Sequence, residues 1–198
     1  MNVVFDIGQV LLHWEPRALY RKIFADESEM EAFLRDVCPP AWNVELDRGQ
    51  SFAEGVAEAT QRHPHHAEKI AAYDTRWAEM LTHAIQGSVD ILEELHQRGT
   101  PLYAITNWNG DKFRQTRELH AFLGRFRDIV LSGDEKLIKP DAAIYHVLLA
   151  RNSLAAADCL FIDDSAKNVA GAQAVGMQAH HFTTPDALRQ ELARRGLL

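Results

Sequence analysis

The stretch VVFDIGQVLL, residues 3–12, places a single acid, Asp6, directly after a short apolar run. Val3–Phe5 is too short for a helix and opens on two β-branched residues, which suits a strand buried on both faces of a parallel sheet. A side chain at the carboxyl end of such a strand opens onto the edge where open α/β folds bind their ligands. The next polar positions, Gly8 and Gln9, bring no second acid.

Four more short apolar runs have the same character: Leu102–Ile105, Ile129–Leu131, Cys159–Ile162 and Gln178–Phe182. Helical patterns separate them. SVDILEELHQR carries apolar residues at Val89, Ile91, Leu92 and Leu95 and stops at Gly99. PDAAIYHVLLAR starts on Pro140, and SAKNVAGAQAVG opens on Ser165, a suitable N-cap, and ends at Gly176. TPDALRQELARRG repeats the design at the end of the chain. This alternation predicts an α/β fold, a parallel sheet with helices on both faces, built from residues 1–13 and 87–198. Residues 14–86 show no convincing strand, and EPRALYRKIF, ESEMEAFLRDV, SFAEGVAEATQRH and HAEKIAAYDTRWAEML read as helices, so a helical module is expected over the carboxyl edge of the sheet, placed as a cap.

Chemistry-bearing residues recur at the ends of these strands. Asp6 ends the first, Thr106 and Asn107 in YAITN end the second, Lys139 in KLIKPD follows the third, and Asp163 and Asp164 in LFIDDSAKN end the fourth. Neighbouring parallel strands bring such ends to one place. Three carboxylates together raise one another's pKa, and a hard divalent cation such as Mg²⁺ relieves that conflict. Lys139 adds a positive charge, Thr106 and the Asn107 backbone N–H are donors for phosphate oxygens, and a carboxylate can serve as a nucleophile.

This ordered set resembles the haloacid dehalogenase-like hydrolase superfamily across the whole chain, through FDIGQVL, ITN, Lys139 with Pro140, and FIDDSAKN. The resemblance implies a Rossmann-like core with an inserted α-helical cap. It also implies an Asp6 nucleophile and phosphoryl binding by Thr106 and Lys139. Mg²⁺ would be held by Asp6, the Gly8 carbonyl and Asp164, with Asp163 and Asn168 in direct or supporting roles.

The chain departs from the family at position 8, where its phosphatases usually carry a second Asp that protonates the leaving alcohol. General acid–base help of that kind is worth ~10²–10⁴-fold. Gly at this position resembles the branch that includes glucose-1-phosphate phosphatases, and true 2-haloacid dehalogenases, which use no metal, also lack the second acid. The two adjacent acids of FIDDSAKN resemble the metal-dependent pattern. The expected activity is therefore Mg²⁺-dependent hydrolysis of a small phosphate ester, such as a sugar phosphate, through an aspartyl-phosphate. A metal-independent haloacid dehalogenase and a low-activity binding protein are the alternatives.

The net charge of −7, with no basic run, argues against nucleic acid as a partner. No stretch has the length and apolarity of a membrane span, and no leader pattern precedes the first strand. Two separated cysteines, Cys38 and Cys159, suit thiols in a reducing compartment. A cytoplasmic monomer or homodimer is expected. Gln9, Trp14, Arg17, Trp42, Asn43 and Glu45 fall where cap should meet core and are candidates to line a substrate pocket, whereas His63, His65 and His66 read as solvated.

Overall fold

The computed structural model describes all 198 residues. Five parallel strands form the central sheet in the order β5-β4-β1-β6-β7: β1 is Asn2–Phe5, β4 Leu102–Thr106, β5 Asp128–Leu131, β6 Cys159–Asp163 and β7 Gln178–His181. The first strand is thus the middle one, flanked by β4 with Phe5 beside Ala104 and by β6 with Phe5 beside Ile162. That register carries Asp6, Thr106 and Asp163 to one edge.

Alternation of side chains along each strand divides the interior in two. Val3, Phe5, Leu102, Ala104, Leu160 and Ile162 face one side, with Ile91 and Leu95 of α6 (Gln86–Gln97) and Leu188 and Leu192 of α11 (Pro185–Arg194). Val4, Tyr103, Ile105 and Phe161 face the other, under Ile144, Tyr145 and Leu148 of α9 (Ala142–Arg151) and Ala172 of α10 (Ala166–Ala174). Each of these large side chains is worth about 1.5–3 kcal/mol when fully buried. No helix is long and apolar enough to cross a membrane.

Between β1 and α6 the chain forms α1 (Pro16–Tyr20), α2 (Glu27–Asp36), α3 (Pro40–Asp47), α4 (Phe52–Arg62) and α5 (Ala67–Thr75). Met30, Phe33, Trp42, Leu46 and Tyr73 from these helices continue the first core cluster, so the module packs directly on the sheet domain. The expectation of helices alone here is corrected by a two-stranded antiparallel ribbon, β2 (Leu12–Trp14) with β3 (Leu81–Ala84), at the two crossings of the chain. The strands are short and carry exposed polar residues such as Thr82 and His83, so neither period nor burial marks them in the sequence.

Two helix starts also differ from expectation. The helix after Pro140 begins at Ala142, with Asp141 in the cap position. Ser165 occupies the N-cap of α10, but its side chain caps nothing; its backbone N–H donates to Asp163 Oδ1 at 2.8 Å.

Candidate functional site

Asp6, the residue after β1, is 7% exposed, and its Oδ1 accepts the Ile7 N–H at 2.7 Å. Its Oδ2 lies 2.8 Å from Lys139 Nζ. The same ammonium donates to Asp163 Oδ2 at 2.7 Å, and Asp163 has no exposure. Asp163 also accepts from Asn168 Nδ2 through both oxygens, at 3.0 and 3.1 Å. Fully engaged in this way, Asp163 orients Lys139 and the start of α10 and has little left to offer a ligand. Asp164, by contrast, is exposed. One carboxylate oxygen from each of Asp6, Asp163 and Asp164 lies within 4.8 Å of the others.

Electrostatics follow from that crowding. Burial pushes the Asp6 carboxyl up to about 7, the Lys139 charge opposes this, and the Asp163 charge adds to it. Asp164 is also raised, by burial first and by the Asp163 charge second. Lys139 is desolvated, yet the two carboxylates beside it more than compensate and hold its ammonium charged. Hard oxygen donors that crowd one another suit Mg²⁺, which relieves the repulsion. The residues present therefore fit the cation that the sequence motifs imply.

Thr106 is buried at the end of β4. Asn107 reciprocally grips the Lys139 backbone: its Nδ2 donates to the Lys139 carbonyl at 3.1 Å and its Oδ1 accepts the Lys139 N–H at 2.9 Å. Its side chain thus positions Lys139, which leaves its backbone N–H, the expected phosphate donor, uncommitted to that grip, and the residue lines the neighbouring pocket.

That pocket lies between module and sheet edge. Gly8, Gln9 and Asn107 line it from the core, and Trp14, Trp77 and Trp108 give it aromatic walls. The Trp14 and Trp108 indole N–H groups are buried without a partner. Gln9 adopts φ 58°, and its side-chain amide donates to the Trp14 carbonyl at 2.7 Å. Gly8 is not the left-handed residue of this turn, and a Cβ added there would meet nothing within 4 Å. Glycine at position 8 thus leaves open space rather than answering a backbone demand.

Trp42 does not reach the pocket. It is buried in the helical module, donates to the Gly55 carbonyl at 3.3 Å and packs edge-on against Tyr73, which corrects its assignment as a substrate contact. Glu45 is exposed, and Arg17 pairs with Glu31. Asn43 does line the pocket.

One lining residue escapes a reading of strand-end motifs: Asp47, the last residue of α3. Its Oδ2 accepts from Asn43 Nδ2 at 2.8 Å, and Asn43 Oδ1 accepts from the Tyr73 hydroxyl at 2.9 Å. Its backbone carbonyl accepts from Ser132 Oγ at 2.5 Å, and Asn109 Nδ2 reaches the Leu46 and Gln50 carbonyls at 3.2 and 3.3 Å. Gly49, at φ 109°, lets the following turn press on the core so closely that a Cβ would sit 2.5 Å from the Gly133 carbonyl oxygen. Burial holds the Asp47 carboxyl well above the ordinary carboxylate range, and the Asp6 charge adds to this. The Asn109 N–H, the Asn43 amide and Lys139 pull the other way without reversing it. Its position is the available sequence signal, because a helix C-terminus disfavours negative charge.

Comparison with known proteins places this geometry in a family. The chain is 38% identical over 195 residues to the sesquiterpene phosphatase astK of Aspergillus oryzae, covering 96% of this chain and 93% of that one. It is 24% identical over 192 residues to a phosphoglycolate phosphatase of Pectobacterium atrosepticum, covering 92% and 80%. The fold superposes with a TM-score of 0.71, at 21% identity and with 92% and 94% coverage, on an enzyme of Bacteroides thetaiotaomicron solved with magnesium and inorganic phosphate. Residues 44–181 match the family model described as haloacid dehalogenase-like hydrolase, and with that match the chain belongs to the haloacid dehalogenase-like hydrolase family.

Proposed function

We propose that the protein is a Mg²⁺-dependent phosphatase that hydrolyses a small phosphate ester through an aspartyl-phosphate on Asp6. The observation that carries this reading is the cluster in which Lys139 Nζ stands 2.8 Å from Asp6 Oδ2, beside the grouped oxygens of Asp163 and Asp164. A halide departs without a proton or a cation, so a dehalogenase has no use for the second acid, Asp164, beside the Asp163 that holds Lys139. The names of the two curated relatives, a sesquiterpene phosphatase and a phosphoglycolate phosphatase, support the same choice.

Asp6, Asp164 and the Gly8 carbonyl are the proposed Mg²⁺ ligands, with Asp163 behind them. Bound there, the cation supplies charge neutralisation to the phosphoryl oxygens and to the crowded carboxylates. The Asp6 carboxylate attacks phosphorus and displaces the alcohol oxygen. Lys139 aims Asp6 and favours its ionised form against the cost of burial, and together with the Thr106 hydroxyl it binds phosphoryl oxygens. Water then attacks the phosphorus of the acyl-phosphate and returns Asp6 to its carboxylate. Three tryptophans around the leaving-group side favour an organic group with apolar surface, a feature compatible with the named substrate class of the Aspergillus relative.

The test is a turnover screen with Mg²⁺ and after thorough chelation, across prenyl phosphates, sugar 1-phosphates, 2-phosphoglycolate and L-2-haloacids. Phosphate release that disappears on chelation is expected. Halide release that survives chelation would replace this reading with the dehalogenase one.

A further inference from the structure

We propose that Asp47, delivered from the helical module, is the general acid–base that position 8 lacks. The proposal rests on the phosphatase reading and extends it to a residue outside the strand-end motifs.

Of the residues that line the pocket between module and core, Asp47 is the one that can exchange a proton. Gly8 and Gln9 line the same space, and a Cβ added at position 8 would meet nothing within 4 Å. Gln9 cannot take the role, since an amide carries no exchangeable acid proton of the required strength and its nitrogen is committed to the Trp14 carbonyl. Asp47 has no cation paired with it at salt-bridge distance. Its partners are the neutral amide of Asn43, which the Tyr73 hydroxyl holds in turn, and the Asn109 N–H. Asp6 and Lys139 are close enough for their charges to act on it. A half-buried carboxyl in such surroundings favours its protonated form, which suits a donor at neutral pH. Its placement is rigid, because Ser132 holds the Asp47 carbonyl and Asn109 holds the carbonyls of Leu46 and Gln50. The acid is thus supplied only when the module is seated on the core, which ties proton delivery to closure.

The chemistry balances. An Asp6 oxygen bonds to phosphorus as the bond from phosphorus to the alcohol oxygen breaks. The departing electron pair stays on that oxygen, which takes the proton from Asp47. Asp47, now a carboxylate, removes a proton from water as the water oxygen bonds to phosphorus. The bond from phosphorus to Asp6 breaks with its electron pair returning to Asp6. Alcohol and inorganic phosphate leave, and Asp47 is protonated again.

The experiment compares kcat/KM of wild type and Asp47→Asn on a simple alkyl phosphate and on 4-nitrophenyl phosphate, both with Mg²⁺. The alkyl oxygen needs a proton to leave and the nitrophenolate does not. The variant should lose about 10²–10⁴-fold on the alkyl ester and less than about 10-fold on the aryl ester. Equal losses on both esters, or no loss on the alkyl ester, would overturn the proposal while leaving the phosphatase reading intact. Wild-type protein that hydrolyses neither ester would overturn that reading and the proposal with it. Asp47→Ser, smaller than the acid it replaces, repeats the comparison if the amide variant does not fold.

Discussion

Lys139 Nζ lies 2.7 Å from Asp163 Oδ2, and both side chains are withdrawn from solvent almost completely. With Asp6 on its other side, the ammonium is the countercharge for two buried carboxylates. Removing one partner of a buried ion pair leaves uncompensated charge and costs about 3–5 kcal/mol. Lys139→Met should lose that much stability in urea unfolding at neutral pH, along with its activity. A loss below about 1 kcal/mol, the size of an exposed pair, would mean that water reaches the cluster freely.

The side chain of Asn109 does two jobs. It caps α7 (Gly110–Leu119) by accepting the Asp111 and Lys112 N–H groups, and it donates to the Leu46 and Gln50 carbonyls. Asn109→Ala should therefore lose about 2 kcal/mol, combining a lost cap with lost hydrogen bonds. Hydrogen exchange should rise selectively across residues 46–50. Unchanged exchange there would show that other contacts, such as the 2.5 Å Lys112–Asp74 pair, are enough to seat the module.

The raised Asp47 carboxyl gives a stability signature independent of turnover. The native state binds this proton more tightly than the unfolded chain, whose Asp titrates near the ordinary 3.8. Native Asp47 therefore lowers stability progressively as pH rises above that value, until the native group itself ionises. Asp47→Asn removes the penalty. Its Tm relative to wild type should increase from pH 4 to pH 8, and a constant or falling difference would contradict the inferred environment.

Gly8 can accept a side chain, since its φ is ordinary and its Cβ position is open. Gly8→Asp placed in the Asp47→Asn background should recover alkyl phosphate hydrolysis by up to ~10²-fold. A folded double variant with no recovery would show that position 8 does not face the leaving oxygen.

Much of this arrangement is legible in the sequence because its parts are repetitive. β1, β4, β5 and β6 are short apolar runs, each closed or followed by a chemistry-bearing residue, and parallel pairing needs little more to bring Asp6, Thr106, Lys139 and Asp163 together. The ribbon of β2 and β3 escapes because its strands are brief and partly exposed. The helix α3 hides behind Pro39 and Pro40, which punctuate the chain and here serve as its N-cap and first residue. Trp42 misleads because an aromatic at a module boundary can equally be core, and here it is. Asp47 escapes for a different reason: its one local mark, an acid at the end of a helix, shows only once α3 is recognised, and its meaning depends on Ser132, Asn109 and Gly133, all distant in the chain.

The most direct measurement of the central claim is mass spectrometry of protein acid-quenched during turnover of a phosphate ester with Mg²⁺. The account expects a phosphoryl group on the peptide that contains Asp6, and expects both that adduct and steady turnover to vanish in a folded Asp6→Asn variant. An absent adduct together with near-normal turnover by Asp6→Asn would contradict it.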